Sequence, residues 1–170
     1  MITRNWYVNL RSNHARTVIT NGLVLPTGSY ANAGYYENYA EKVYNALVIR
    51  ETDVVFNSTS AGIVLGRDST PPTLNDCCLK SLITGGLSIK TVTKADENGD
   101  LKYTMTMTNT SQNPITIGEV GIMSKVYTGA NTSTSNIVLM ERTVLEEPIT
   151  IPANGVGVVT YITGFAVPEA

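Results

Sequence analysis

Charge is what this chain has least of. Charged residues fill 15% of its 170 positions, against roughly 25% in an average soluble domain. Twelve Lys and Arg stand against fourteen Asp and Glu, for a net charge of −2. The basic residues form no run or stripe, so the electrostatic footprint of a nucleic-acid binder is missing and no direct nucleic-acid partner is expected. No apolar run approaches the roughly eighteen residues of a membrane helix, and no membrane partner is expected either. The start, Met1-Ile-Thr-Arg-Asn-Trp-Tyr7, lacks the apolar core of a secretory signal, so folding in a cytosol is the expectation.

Reactive side chains are just as scarce. The single histidine, His14, lies in the polar stretch Ser12-Asn-His-Ala15 and reads as solvent-exposed. Cys77 and Cys78 are adjacent, so they cannot close a useful disulfide loop, and they read as two small buried apolar thiols. With so few soft ligands a metal site built from Cys and His is not expected, and no cofactor is expected. Gly62-Ile-Val-Leu-Gly66 and Gly155-Val-Gly157 lack the Lys or the following helix of a phosphate loop. The acids Asp53, Asp68, Asp76, Glu119, Glu146 and Glu147 fall mostly at predicted turns or strand ends, where carboxylates serve solubility. An enzyme needs a nucleophile, a base and an orienter, and the expectation here is no enzyme. The triplets at Asn57, Asn109 and Asn131 match a glycosylation pattern by chance in so Asn- and Thr-rich a chain.

What the chain does have is alternation. Leu101-Lys-Tyr-Thr-Met-Thr-Met-Thr-Asn109 exchanges apolar and hydroxyl residues at a period of two, which predicts a strand with Tyr103, Met105 and Met107 on its core face. Leu87 to Lys94 should pair with it across Asn98-Gly99. Ile115 and Ile117 continue the inward phase, and Gly118 shifts it to Val120 and Ile122, the signature of a β-bulge. Further strands are expected at Ala46–Ile49, Val54–Phe56, Gly62–Gly66, Ile137–Val144, Ile149–Ile151 and Val156–Ile162, with a polar loop over Gly129–Asn136. Thr17–Thr20 and Leu23–Leu25 read as a hairpin about Asn21-Gly22. Thr73 and Asp76 resemble a capping box, and Leu74, Cys78 and Leu82 recur at helical spacing, predicting one short helix over 73–83. The fold class is therefore mainly β: an antiparallel, jelly-roll-like β-sandwich over 46–170, one short helix, and an extended N-terminal arm with a Tyr-rich loop over 1–45. Trp6-Tyr-Val-Asn-Leu10 within that arm fits a short helix or an edge strand.

Two groups of residues are candidates for a role. Trp6, Tyr7, Tyr30, Tyr35, Tyr36 and Tyr39 are interface candidates, because amphipathic aromatics bury a large area at low rotamer cost. Covering the open end of the domain's own core is the alternative for the tyrosines. Glu119 and Arg142, on neighbouring strands, form a candidate structural pair: a partly buried bidentate contact that fixes strand register.

Gly66-Arg-Asp-Ser-Thr-Pro-Pro-Thr-Leu-Asn-Asp76, then Ile115-Thr-Ile-Gly-Glu-Val-Gly-Ile122, then Leu139-Met-Glu-Arg-Thr-Val144 and the closing Val159-Thr-Tyr-Ile162 resemble segments of small β-sandwich structural proteins of tailed bacteriophages. The likeness spans about residues 50–163, and Leu65-Gly66-Arg67 departs from the family's usual Gly-Thr-Gly turn. It implies a virion structural protein, capsid-associated or part of the head–tail neck, folded in a host cytoplasm before assembly. Its partners would be other virion proteins and further copies of itself. A tail or fibre protein with a carbohydrate- or receptor-binding sandwich is the alternative.

Overall fold

Leu101–Asn109, Ile115–Ile122 and Val156–Ile162 lie in strands, whereas the strand expected at Val54–Phe56 is reduced to a single bridge from Val54 to Ile63. The computed structural model describes residues 1–34, 54–97, 100–128 and 135–163. In chain order the elements are α1 (Arg4–Ala15), β1 (Ile19–Val24), β2 (Tyr30–Ala33), β3 (Gly62–Gly66), β4 (Leu87–Glu97), β5 (Asp100–Asn109), β6 (Ile115–Tyr127), β7 (Ser135–Ile151) and β8 (Val156–Thr163). They build sheets of order β1-β2, β3-β6-β7 and β4-β5-β8. The protein is mainly β with antiparallel pairing. The chain divides into two compact units, Met1–Thr84 with Ile117–Pro148 and Gly85–Thr116 with Ile149–Ala170. The boundary expected at 45/46 lies outside the described residues, as do the strand expected at Ala46–Ile49 and the loop tip at 129–134.

In the first unit the N-terminal residues are not an extended arm. They form α1, the only helix among the described residues, and it docks through polar groups. Asn5, Asn9 and Ser12, one helical face, are buried. The Asn5 amide donates to Val24 O and Leu139 O, and accepts from Val24 N–H at 2.8 Å, imitating a strand partner at the end of β1. Ser12 Oγ donates to Thr17 O and Ala33 O. Thr3, at the N-cap, turns its hydroxyl to Leu139 O at 2.7 Å rather than to its own helix. The left-handed Arg16 (φ 49°) ends the helix. Trp6, Val8, Ile19, Leu25 and Ala31 pack on a core of Leu23, Ala33, Val126, Val138 and Met140.

Asn21-Gly22 is not the hairpin turn. β1 runs through it as an irregularity between Ile19 and Leu23, and the turn falls at 26–29 instead. Gly22 is required by packing, because a Cβ there would lie 2.6 Å from Val8 Cγ1 of α1. β6 is the central strand of its sheet, and every residue from Ile117 to Met123 is buried. The change of inward phase at Gly118 thus falls in a stretch covered on both faces, and from Glu119 onward the β3–β6 register is unbroken, Gly66↔Glu119 to Gly62↔Met123. Ile137–Val144 and Ile149–Ile151 are not separate strands but parts of the 17-residue β7.

In the second unit β4 and β5 pair as expected, from Leu87↔Asn109 to Glu97↔Asp100, while the Asn98-Gly99 turn between them lies outside the described residues. Tyr103, Met105 and Met107 are fully buried, with Val159 and Tyr161 of β8 on the same face. Tyr103 and Tyr161 are cross-strand partners whose rings stack at 6.4 Å between centroids. Asn109 closes this unit. Its buried amide donates to Asn113 O (2.7 Å) and Ile151 O (3.0 Å) and accepts from Ser111 N–H and Oγ–H.

Candidate functional site

The helix expected over 73–83 does not form, and the reason is the first candidate site. The Thr73–Asp76 capping contacts are present: Thr73 N–H and Oγ–H donate to Asp76 at 2.9 Å each. The following backbone groups find partners elsewhere. Lys80 and Ser81 N–H donate to the Glu119 carboxylate (3.3 and 2.8 Å), Arg67 N–H to Ser81 O, and Ile83 N–H to Leu65 O. With these groups spent on β3 and β6, no i→i−4 ladder can propagate.

At the centre lies Arg142 of β7, fully buried. Its Nε donates to Glu119 Oε2 at 2.6 Å, Nη1 to Asp76 Oδ2 at 3.0 Å and Nη2 to Thr70 O at 3.0 Å, with Asp68 Oδ1 3.5 Å from Nη2. Glu119 and Arg142 thus meet by one Nε contact rather than a bidentate fork, and both are wholly rather than partly buried. Lys80 Nζ reaches Asp76 Oδ1 at 2.9 Å. The Glu119 side chain lies across its cross-strand partner Gly66, where any Cβ would overlap the carboxylate. Burial opposes the charge on Asp76, but hydrogen bonds from the Thr73 backbone, Lys80, the Thr73 hydroxyl and Arg142 outweigh it and hold its carboxyl down at about 2. Hydrogen bonds from Thr70 lower Asp68 as well. Asp76 is therefore a buried structural acid, not the solvated turn residue that the sequence suggested, and Glu119 is buried with it in its strand. Both oxygens of each are occupied by donors, which leaves neither carboxylate aimed at a substrate.

The remaining sequence candidates scatter. Trp6 is half-buried against the first unit's core and meets Tyr7 edge-to-face at 5.2 Å. Tyr7 and Tyr30 are exposed, and Tyr35, Tyr36 and Tyr39 lie outside the described residues. His14 is exposed in the last turn of α1. Cys77 and Cys78 are free thiols, half-buried rather than buried, and burial pushes the Cys78 thiol up. Glu146 and Glu147 are exposed, and Asp53 is outside the described residues.

The second candidate is the outer face of the β4-β5-β8 sheet. Val156, Val158 and Ile162 are 54%, 53% and 55% exposed, and Thr160 between them is exposed too. Strand alternation places all four on one face, opposite the buried Val159 and Tyr161. Their partners on β5 are Thr108, Thr106, Thr104 and Lys102, so the stripe is flanked by a row of threonines. Among the described residues β8 ends the sheet, and it contains no charged residue. Hydrophobic periodicity did mark this strand, but it could not show which strand would be left at the edge.

Comparison of the chain with protein-family models, with curated proteins and with solved structures returns no match.

Proposed function

We propose that this is a non-enzymatic assembly subunit, a bacteriophage virion structural protein in a capsid-associated or head–tail position that stabilises the particle through subunit contacts. The observation that carries the reading is the uncharged apolar stripe of Val156, Val158 and Ile162 on a strand that, among the described residues, lies at the edge of its sheet. Natural edges are ordinarily blunted by Lys, Pro or inward charge, and an edge without these is built to be covered. The low overall charge and the resemblance of residues 50–163 to phage structural proteins support the same reading. The finer architecture, a jelly-roll-like β-sandwich, goes with it and is supported by the two three-stranded sheets. Other virion proteins and further copies of this chain are the partners it implies, with the virion as its location.

The rival is a tail or fibre protein that binds carbohydrate. It draws on a shallow pocket of about 320 Å³ lined by Leu25, Pro26, Thr27, Ser58, Thr59 and Asn136 among others, rich in hydroxyls but with no aromatic platform among its lining residues. The two readings separate experimentally. Purified particles probed with antibody against the full chain should contain it at a fixed copy number. Confinement to the soluble fraction would refute the assembly reading, and glycan-array binding by the isolated monomer would favour the rival.

A further inference from the structure

The two edges of the β4-β5-β8 sheet are treated differently by the sequence. β4 carries Lys90, Lys94, Asp96 and Glu97, the ordinary means of keeping an edge from pairing. β8, Val156-Gly-Val-Val-Thr-Tyr-Ile-Thr163, carries none. An uncharged strand can meet its own copy without like-charge repulsion, and a two-fold axis requires that self-compatibility. We infer that β8 is the pairing strand for a second copy of this chain, joined antiparallel across a two-fold axis into a continuous six-stranded sheet. The inference rests on the reading of β8 as an assembly edge and names the occupant of that edge.

The sequence of β8 selects a register. With the axis at Val159, Val156 faces Ile162 of the second copy and Val158 faces Thr160 on the outer face, each twice by symmetry. On the other face Gly157 falls opposite Tyr161, the smallest residue against the largest, and Val159 meets itself. Aromatic residues placed across from strand glycines are a recurrent way to fix register. This register also pairs the whole of Val156–Ile162, whereas a shift in either direction leaves an apolar outer residue unmatched. Each strand offers the N–H and C=O groups of alternate residues to its new neighbour, and the apolar stripes of the two copies become contiguous.

The test uses the full-length chain. Sedimentation over a concentration series up to about 100 µM, well above the micromolar range of ordinary complexes, should show a species of twice the 18.3 kDa chain mass. Val158→Lys should weaken dimerisation at least tenfold while the near-ultraviolet signal of the Tyr103–Tyr161 pair stays intact. Thr93→Lys, on the exposed part of β4, should leave dimerisation unchanged. The double variant Val156→Cys/Ile162→Cys should form disulfide-linked dimers on mild oxidation, whereas Val156→Cys alone should not, because its two copies would stand about 20 Å apart along the strands. A dimer indifferent to Val158→Lys, or one that the double variant fails to link, overturns the inference. So does a chain that stays monomeric alone yet enters particles in a Val158-dependent way, and that result leaves the assembly reading standing. Particles that lack the chain altogether overturn the assembly reading instead.

Discussion

Removing Arg142 should cost more than any other single truncation in the first unit. Arg142→Met keeps the apolar stem but leaves Glu119 and Asp76 buried without the guanidinium that bonds them at 2.6 and 3.0 Å. Breaking a buried ion pair from one side costs about 3–5 kcal/mol, because the surviving charge has lost its partner but not its desolvation. Glu119→Gln should cost less, about 1.5–3 kcal/mol, the worth of a hydrogen bond to a charged group. Its amide must set an NH₂ against either the Arg142 Nε–H or the Ser81 N–H, since the carboxylate accepts from both. In the double variant that conflict shrinks to the longer contact with Lys80 N–H, at 3.3 Å. The new amide at position 119 can turn its carbonyl to Ser81 and its NH₂ towards the thioether that replaces the guanidinium. The losses should therefore fall short of additivity by at least about 1 kcal/mol, within the range for residues in direct contact. The assay is urea unfolding followed by Trp6 fluorescence. Trp6 is the only tryptophan of the chain and packs on the first unit's core with Met140. Losses that add within about 0.5 kcal/mol would refute the coupling, and with it the view that Arg142 and Glu119 fix the register of β7 on β6.

Two further predictions test other parts of the fold. Asp76 should make the first unit acid-sensitive: its folded carboxyl, at about 2, lies below the ordinary 3.8, so its stabilisation is present above about pH 4 and is lost as pH falls towards 2. The difference is worth about 2 kcal/mol, and Asp76→Asn should flatten the stability profile in that window; an unchanged slope would refute the role. Asn109→Ala removes four hydrogen bonds from a buried site that links 111–113 with Ile151, and should destabilise the second unit by about 2–3 kcal/mol by calorimetry; a loss under about 0.5 kcal/mol would show that the site rehydrates freely.

Strands with a single buried face were legible in the sequence, and the elements that dock through polar groups were not. Tyr103, Met105 and Met107 alternate with Thr104, Thr106 and Thr108 because one face of β5 is buried and the other is not, so burial and periodicity carry the same information. The helix was the reverse case. α1 buries Asn5, Asn9 and Ser12, so only the short stretch Trp6–Leu10, which fitted a helix or an edge strand, hinted at it, whereas 73–83 has an apolar stripe but spends its backbone groups on Glu119 and the β3 segment. Thr73 and Asp76 were correctly paired, and only the inference from cap to helix failed, because capping contacts stabilise a turn whether or not a helix follows. The Glu119–Arg142 contact could be expected because two charges lay within apolar strands. Asp76 could not be added to it, since nothing local in the sequence announces that a turn residue is swallowed by a guanidinium 66 positions away.

The distribution of charge links the two candidate sites. A chain with few charged residues commits Arg142, Glu119 and Asp76 to its interior, where they contribute nothing to solubility, and at the same time leaves Val156, Val158 and Ile162 in water. Buried ion clusters are weak sources of net stability, and well-packed apolar residues of similar volume often do as well or better. Their best-attested use is to reject alternative registers, because an apolar contact tolerates a slip that a guanidinium held by three acceptors does not. A slip of one residue in β7 would carry Arg142 to the opposite face of its sheet, away from Glu119 and Asp76. The cluster and the stripe then answer opposite demands: inside, a geometry that admits one arrangement; at the β8 edge, an uncharged surface whose exposure, on the proposed assembly reading, is tolerable only until a partner covers it. On that argument solubility of the free chain should fall steeply with concentration unless β8 is paired, and Val158→Lys should restore it. A free chain that stays soluble and monomeric at high concentration with Val158 intact, and that enters no particle through Val158, would break the link between exposure and assembly.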